Sequence, residues 1–265
     1  MSLIVRNRER FERTDVPEPS AHRNLIGAIV AVAALAATAV VVYLAWNRAS
    51  LESRLGDSSL SDAVVALAQY DEAGPSGGYA VSEDDISITL LLTADSLDET
   101  GGTLTAARIL SVNATQGTAA LVNVPTDLAL TVDETPTTLA ELFSSQGCAA
   151  CVLQLGLAAG VGFDSVVLAT GDVIEEAAQL AGSGSDNLVR SASGFLSKIR
   201  TNMDAAGLLA FAERLAAVGT SNLAASDAVL VAEVATNEDG AAAETGRQVL
   251  DKTQLNVAIG RFVAA

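Results

Sequence analysis

The chain has 265 residues, half of them hydrophobic, and a formal net charge of −17, which is material for one good-sized core. Residues 1–46 hold five Arg and four acidic residues, leaving ten Lys and Arg against 28 Asp and Glu in the remainder, so nucleic acid and anionic lipid surfaces are poor partners for the main domain. The single histidine, His22, lies close to the N-terminus, which excludes Ser-His, Cys-His and histidine-metal chemistry from everything that follows.

Residues 1–24 are polar and carry Arg6, Arg8, Arg10, Arg13 and Arg23. Residues 25–46 then hold no charge, and at ~1.5 Å rise per residue they are long enough to cross a hydrocarbon layer of ~30 Å. The near flank is richer in arginine than the far flank, which offers Arg48 and Arg54, so the N-terminal tail is expected in the cytoplasm and the long C-terminal part outside. Tyr43 and Trp46 suit the outer interface. A cleaved secretory signal is the alternative, but the segment is longer than a signal core and ends in aromatics. Residues 47–79 read as a helical stalk and linker, with Ser59 or Ser61 as an N-cap and Leu51, Leu55, Val64, Val65 and Leu67 at partly helical spacing. The breaker Ala73-Gly74-Pro75-Ser76-Gly77-Gly78 marks the start of the folded domain, residues 80–265.

Within that domain, residues 86–92, 107–112 and 119–124 are apolar runs broken off by Gly, Asn, Asp, Thr or Pro, and read as three neighbouring strands. Runs apolar on both alternating faces suit strands covered on both sides, so the expected class is α/β, a mixed central sheet with helices on both faces. Asp95 and Asp127 follow strands, where Asp ordinarily closes a turn. After Pro136, Thr137 or Thr138 can cap a helix through Leu139, Leu142 and Phe143. Cys148 and Cys151 are the only cysteines. Outside the membrane they favour a short-range disulfide, with free thiols packed as small hydrophobes and a redox pair as the other readings. Zinc would need further ligands.

Residues 156–162 are glycine-rich but lack the Lys-Ser/Thr ending of a phosphate loop and precede a strand, so they read as a helix end and turn. Residues 164–168 form the next strand and residues 172–180 a helix. Residues 195–218 read as two helices, the first with Phe195, Leu196 and Ile199 on its apolar face, the second capped by Asn202 or Asp204 and ended by Gly219. Ser226-Asp227 starts a further helix over 228–234. Residues 248–250 are a last strand, and Thr253 opens a final helix running to Phe262.

Two strand corners carry a family resemblance. Leu90-Leu91-Leu92-Thr93-Ala94-Asp95-Ser96 resembles the Leu-Leu-Leu-Gly-Ser-Asp-Ser strand end of the LytR-CpsA-Psr domain, and Val124-Pro125-Thr126-Asp127 resembles that family's Ile-Pro-Arg-Asp. The order of elements from 137 to 182 is similar as well, and the likeness thins out towards the C-terminus. It implies a membrane-anchored extracytoplasmic protein of the family that transfers glycopolymers from polyprenyl-pyrophosphate carriers to the cell wall, with arginines and acidic residues around the pyrophosphate and a magnesium ion.

The site residues are depleted. Where the family reads Arg-Ser-Asp-Thr before the second strand, this chain reads Thr103-Leu104-Thr105-Ala106, so an arginine and a metal-binding aspartate are both threonine. Thr126 replaces the arginine of the other corner, and the family's Arg-Gln-Gln segment is reduced to Arg190. Asp95, Asp127 and Arg190 are the surviving catalytic candidates, Asp95 the one metal candidate, and Thr103, Thr105 and Thr126 complete the implied binding set. Breaking a diphosphate needs cations on its oxygens. The expectation is therefore a catalytically degenerate member that binds a polyprenyl-linked glycan, a cell-wall component or an envelope partner. An active magnesium-dependent phosphotransferase and a purely structural envelope scaffold are the alternatives. Arg108, at the start of a strand, is expected to pair with a surface acid and not to replace the missing cations.

Overall fold

The computed structural model describes residues 54–98, 100–171, 198–236 and 242–265. The apolar segment 25–46, the helix expected over 172–180 and Arg190 lie outside the described residues.

In chain order the elements are β1 (Arg54–Leu55), α1 (Ser58–Leu67), β2 (Tyr79–Val81), β3 (Ile86–Ala94), β4 (Leu104–Asn113), β5 (Thr118–Val124), β6 (Ala129–Val132) and β7 (Thr135–Thr138). They continue with α2 (Leu139–Ala159), β8 (Ser165–Thr170), β9 (Ile199–Thr201), α3 (Ala205–Val218), β10 (Leu223–Asp227), β11 (Leu230–Thr236), β12 (Ala242–Leu250), α4 (Lys252–Ala258) and β13 (Phe262–Ala264). Seven strands form the main sheet in the order β1-β9-β8-β3-β4-β5-β10. β3 runs parallel to β8 and β5 parallel to β10, while β4 is antiparallel to both β3 and β5. The sheet is therefore mixed.

Alternation along β4 shows why both faces are apolar. Ile109 joins the core formed with α1, α2 and α4, whereas Leu110 and Val112 face the other way and pack with Ala212, Leu215 and Val218 of α3. The central helix α2 starts at Thr138, whose side chain accepts from Glu141 N–H while the Glu141 carboxylate accepts from Thr138 N–H, a reciprocal cap. It ends at Gly160 in the left-handed conformation (φ 64°). Among the described residues α2 is the one helix long and apolar enough to cross a membrane. Leu139, Leu142, Phe143, Val152 and Leu155 bury it in the core, and Gly147 (φ 83°) interrupts it, so here it is an interior helix.

The structure corrects several expectations. The stalk placed over 47–79 is part of the domain from residue 54 onward. β1 joins the main sheet beside β9, and Leu60, Ala63 and Leu67 of α1 are buried against α2. Residues 199–201 form an edge-proximal strand and no helix, because all three pair with β8 while the Arg200 side chain meets the half-buried Asp57. The helix expected over 228–234 is strand β11, which pairs antiparallel with β12. Val231 and Val234 are exposed there, so no buried helical stripe exists for them to form, and β-branched residues favour the strand. The last helix starts after Asp251, which caps it, and stops before Gly260 (φ 77°), so that Phe262 belongs to β13.

Cys148 and Cys151 are free, buried thiols on α2, and the expected disulfide between them is not formed. Cys151 Sγ instead donates to Leu139 O at 3.7 Å, across the kink at Gly147 that folds the first turns of α2 back on the rest. Burial pushes the Cys148 thiol up to about 12 and raises that of Cys151 as well, so both are held as neutral small hydrophobes.

Candidate functional site

β3, β5 and β8 end at one edge of the sheet, where β4 begins, and the carboxyl ends of strands are where open α/β sheets form ligand crevices. This topology brings Asp95, Thr103, Thr105, Thr126 and Asp127 to a single edge although they span more than 30 positions of sequence. The two strand corners are thus neighbours, with Ala94 paired to Leu104 and Ala107 to Val124.

Asp95 is engaged within the corner. Its Oδ1 accepts from the Thr103 amide at 2.6 Å, and its own N–H donates to the Thr103 carbonyl at 3.1 Å. The Thr103 amide, then the Thr103 hydroxyl, hold this exposed carboxyl below its ordinary value. The loop it closes cannot relax easily. A Cβ on Gly102 would sit 3.2 Å from Asp95 Oδ1 and 3.4 Å from the Phe143 ring. Gly101 N–H is also tied to Ser144 O at 2.7 Å. Thr105 Oγ1 donates to the Thr93 carbonyl at 3.0 Å, next to the irregularity in the β3–β4 ladder between Thr93 and Ala94.

The other corner is occupied by helix capping. Thr126 O accepts from Ala140 N–H at 2.8 Å, and Leu128 O accepts from Leu139 N–H at 3.0 Å. Glu141 N–H is taken by Thr138 Oγ1 at 3.2 Å. A helix N-terminus with free amides is a ready anion site. In α2 the first three amides all have protein acceptors, and the Glu141 carboxylate adds negative charge in the same turn. Asp127 is exposed beside this cap.

Among the described residues, Lys198 stands at this edge, one residue before the Ile199–Ala169 pair, while Arg108, Arg200, Arg247 and Arg261 have partners elsewhere. Arg108 is the fifth residue of β4, where its Nε donates to Asn123 Oδ1 at 3.1 Å, and Asn123 Nδ2 donates in turn to Asp227 Oδ1 at 2.9 Å. Burial lowers the Arg108 pKa, and the acid it reaches is relayed by an amide, where the sequence implied direct pairing. Arg200 is paired with Asp57, Arg247 with Glu233 and Arg261 with Glu72. Among the described residues no three acidic or metal-binding side chains converge as a metal would require. Of the five residues that a single cavity would unite, Asp95 and Thr103 touch, Thr105 and Thr126 bond their own neighbourhoods, and Arg190 lies outside the described residues. Glu141, which the sequence reading did not single out, was visible as the fourth residue of a Thr-x-x-Glu capping box.

No family model matches the chain, and no curated protein matches it. Solved structures do match. The transcriptional regulator yvhJ from Bacillus subtilis is 12% identical, with 68% of this chain and 96% of that one covered at a TM-score of 0.48. B. subtilis TagV is 9% identical, with 68% and 96% covered at a TM-score of 0.46. TagT bound to LI-WTA is 14% identical, with 67% and 92% covered at a TM-score of 0.45. These values describe a distant likeness of shape.

Proposed function

We propose that this chain is a membrane-anchored, extracytoplasmic protein of LytR-CpsA-Psr type that serves cell-envelope glycopolymer assembly by binding and not by phosphoryl transfer. The reading rests on the chain's own residues. The strand-end motifs carry the resemblance, and the mixed sheet sets both of them on one edge. One observation supports the loss of chemistry above the others. Several polar groups of that corner are spent on one another: Asp95 Oδ1 on the Thr103 amide, the carbonyls of Thr126 and Leu128 on the first amides of α2, and Thr138 on Glu141.

Diphosphate cleavage gathers negative charge on a leaving oxygen, and an acidic corner with threonines where guanidinium groups are needed stabilises none of it. Magnesium held by Asp95 and Asp127 would supply cationic charge only through Asp95 Oδ2 and the Asp127 carboxylate, since Asp95 Oδ1 accepts from the Thr103 amide. The occupant proposed is a polyprenyl-linked glycan from the envelope. Titration of the full chain, in a detergent without sugar groups, with a polyprenyl-linked glycan tests it. Saturable binding with the lipid-linked glycan recovered intact is the expected result; absence of binding would favour the scaffold reading, and release of polyprenyl phosphate the transferase reading.

A further inference from the structure

A second site lies at the opposite end of the same strands. β4 is ten residues long, so its far end is about 30 Å from the corner. There a cleft of about 480 Å³ opens between the ends of β4, β5 and β10 and the end of α4. None of the side chains lining it is charged, although the chain carries 32 acidic residues. Its polar wall is made of amides and hydroxyls: Asn113, Gln116, Thr118, Ser221 and Asn222.

Part of that wall is fixed in advance. Asp84 Oδ2, behind it, accepts from Asn113 Nδ2 at 2.8 Å and from Gln116 Nε2 at 2.6 Å. Asn113 Oδ1 accepts from Gln116 N–H at 2.9 Å. With its nitrogen committed to Asp84, Gln116 keeps Oε1 as an acceptor. Thr118, Ser221 and Asn222 are exposed, so their donors and acceptors face solvent. The floor is apolar, from Ala120, Ala224 and Val257, because Leu223 pairs with Ala119 and packs on the opposite face of the sheet. It is also anchored, because buried Ser111 donates through Oγ to Ile259 O at 2.6 Å and pins the end of α4 to β4. A Cβ placed on Gly260 at the rim would meet nothing within 4 Å, so the mouth is open.

We infer that this cleft binds a neutral, polyhydroxylated ligand, a short uncharged oligosaccharide. Hydroxyl-rich rings offer donors and acceptors to amide and hydroxyl walls and C–H faces to an aliphatic floor. A cleft of this volume falls in the range of small-molecule sites, about 300–1,000 Å³. An anionic ligand finds no cation among the lining residues and meets a net charge of −17. A cation finds no free acid in the lining, since Asp84 stands behind two amides that bond it. The inference goes beyond the corner reading and does not depend on it, because the ligand needs neither a lipid nor a phosphate.

Saturation-transfer difference NMR on the full chain in sugar-free detergent, with chitotetraose, maltotetraose and tetragalacturonate as probes, tests the cleft. A neutral tetramer is expected to bind better than the anionic one. The double variant Thr118→Ala/Asn222→Ala, both positions exposed, is expected to weaken binding about tenfold with an unchanged melting temperature, the loss of about one or two net hydrogen bonds. No signal from either neutral tetramer, equal binding of the uronic acid tetramer, or binding untouched by the double variant would overturn the inference. Failure here with intact binding of the lipid-linked glycan would leave the corner reading standing, and the reverse outcome would separate the two sites in the opposite sense.

Discussion

Arg200 brings a charge into the interior and pairs it there with Asp57. The residue is 6% exposed, its Nε donates to Asp57 Oδ2 at 2.6 Å, and its NH2 group donates to Ser59 Oγ at 3.0 Å. Asp57 serves twice, since its other oxygen accepts from Leu60 N–H at 3.1 Å and caps α1. Burial by itself would raise the Asp57 carboxyl, but Arg200, Ser59 and the Leu60 amide together hold it at about 2, against an ordinary 3.8. A depressed carboxyl stabilises the fold above pH 3.8, and that contribution is lost as pH falls towards 2, because the unfolded chain takes up the proton first. Its size is on the order of 1–2 kcal/mol. Asp57→Asn is expected to cost about 3 kcal/mol at neutral pH, since it breaks the buried Arg200–Asp57 pair. Urea denaturation of both proteins from pH 7 to pH 2 checks this. The wild type should lose its advantage at the acid end, and a constant gap across the range would contradict the pairing argument.

At the scale of elements, α1 meets α2 at a glycine. A Cβ on Gly156 would lie 2.3 Å from Leu67 Cδ2 and 3.0 Å from Leu67 Cγ, and Leu67 is itself buried. Gly156→Ala gains about 1 kcal/mol of helix propensity but overpacks this contact by about 1–3 kcal/mol, so a net loss of about 1 kcal/mol is expected. Combining it with Leu67→Ala should cost less than the two single changes added together. Additive costs in a thermal-unfolding double-mutant cycle would show that the helices do not meet there.

The same contact explains what the sequence left unread. β3, β4 and β5 were legible because their apolar runs are continuous and end in turn residues. α2 was legible from Thr138 and from the glycine that stops it. α1 was mistaken for a stalk because its apolar positions count only once α2 is beside it. β9 was hidden because its three residues include an arginine whose acid lies 143 positions away. β11 was read as a helix because alanine and valine suit either state until the partner strand β12 is known. Of the site, the threonines at the corners were plain, whereas the carbonyls of Thr126 and Leu128 that occupy the α2 amides are backbone groups, which no residue pattern displays.

The whole molecule joins a strongly acidic domain to an N-terminal apolar segment flanked by arginines, with two polar regions at opposite ends of one sheet. One is a corner where Asp95 holds the Thr103 amide and the carbonyls of Thr126 and Leu128 hold the first amides of the central helix, and the other an open, uncharged cleft. The division suits a protein that holds glycan without breaking a diphosphate. The proposed loss of that chemistry is tested most directly by release of phosphate from geranyl pyrophosphate by the full chain with millimolar magnesium. No turnover above the protein-free rate is the predicted result. Magnesium-dependent turnover that disappears in Asp95→Ala would contradict it.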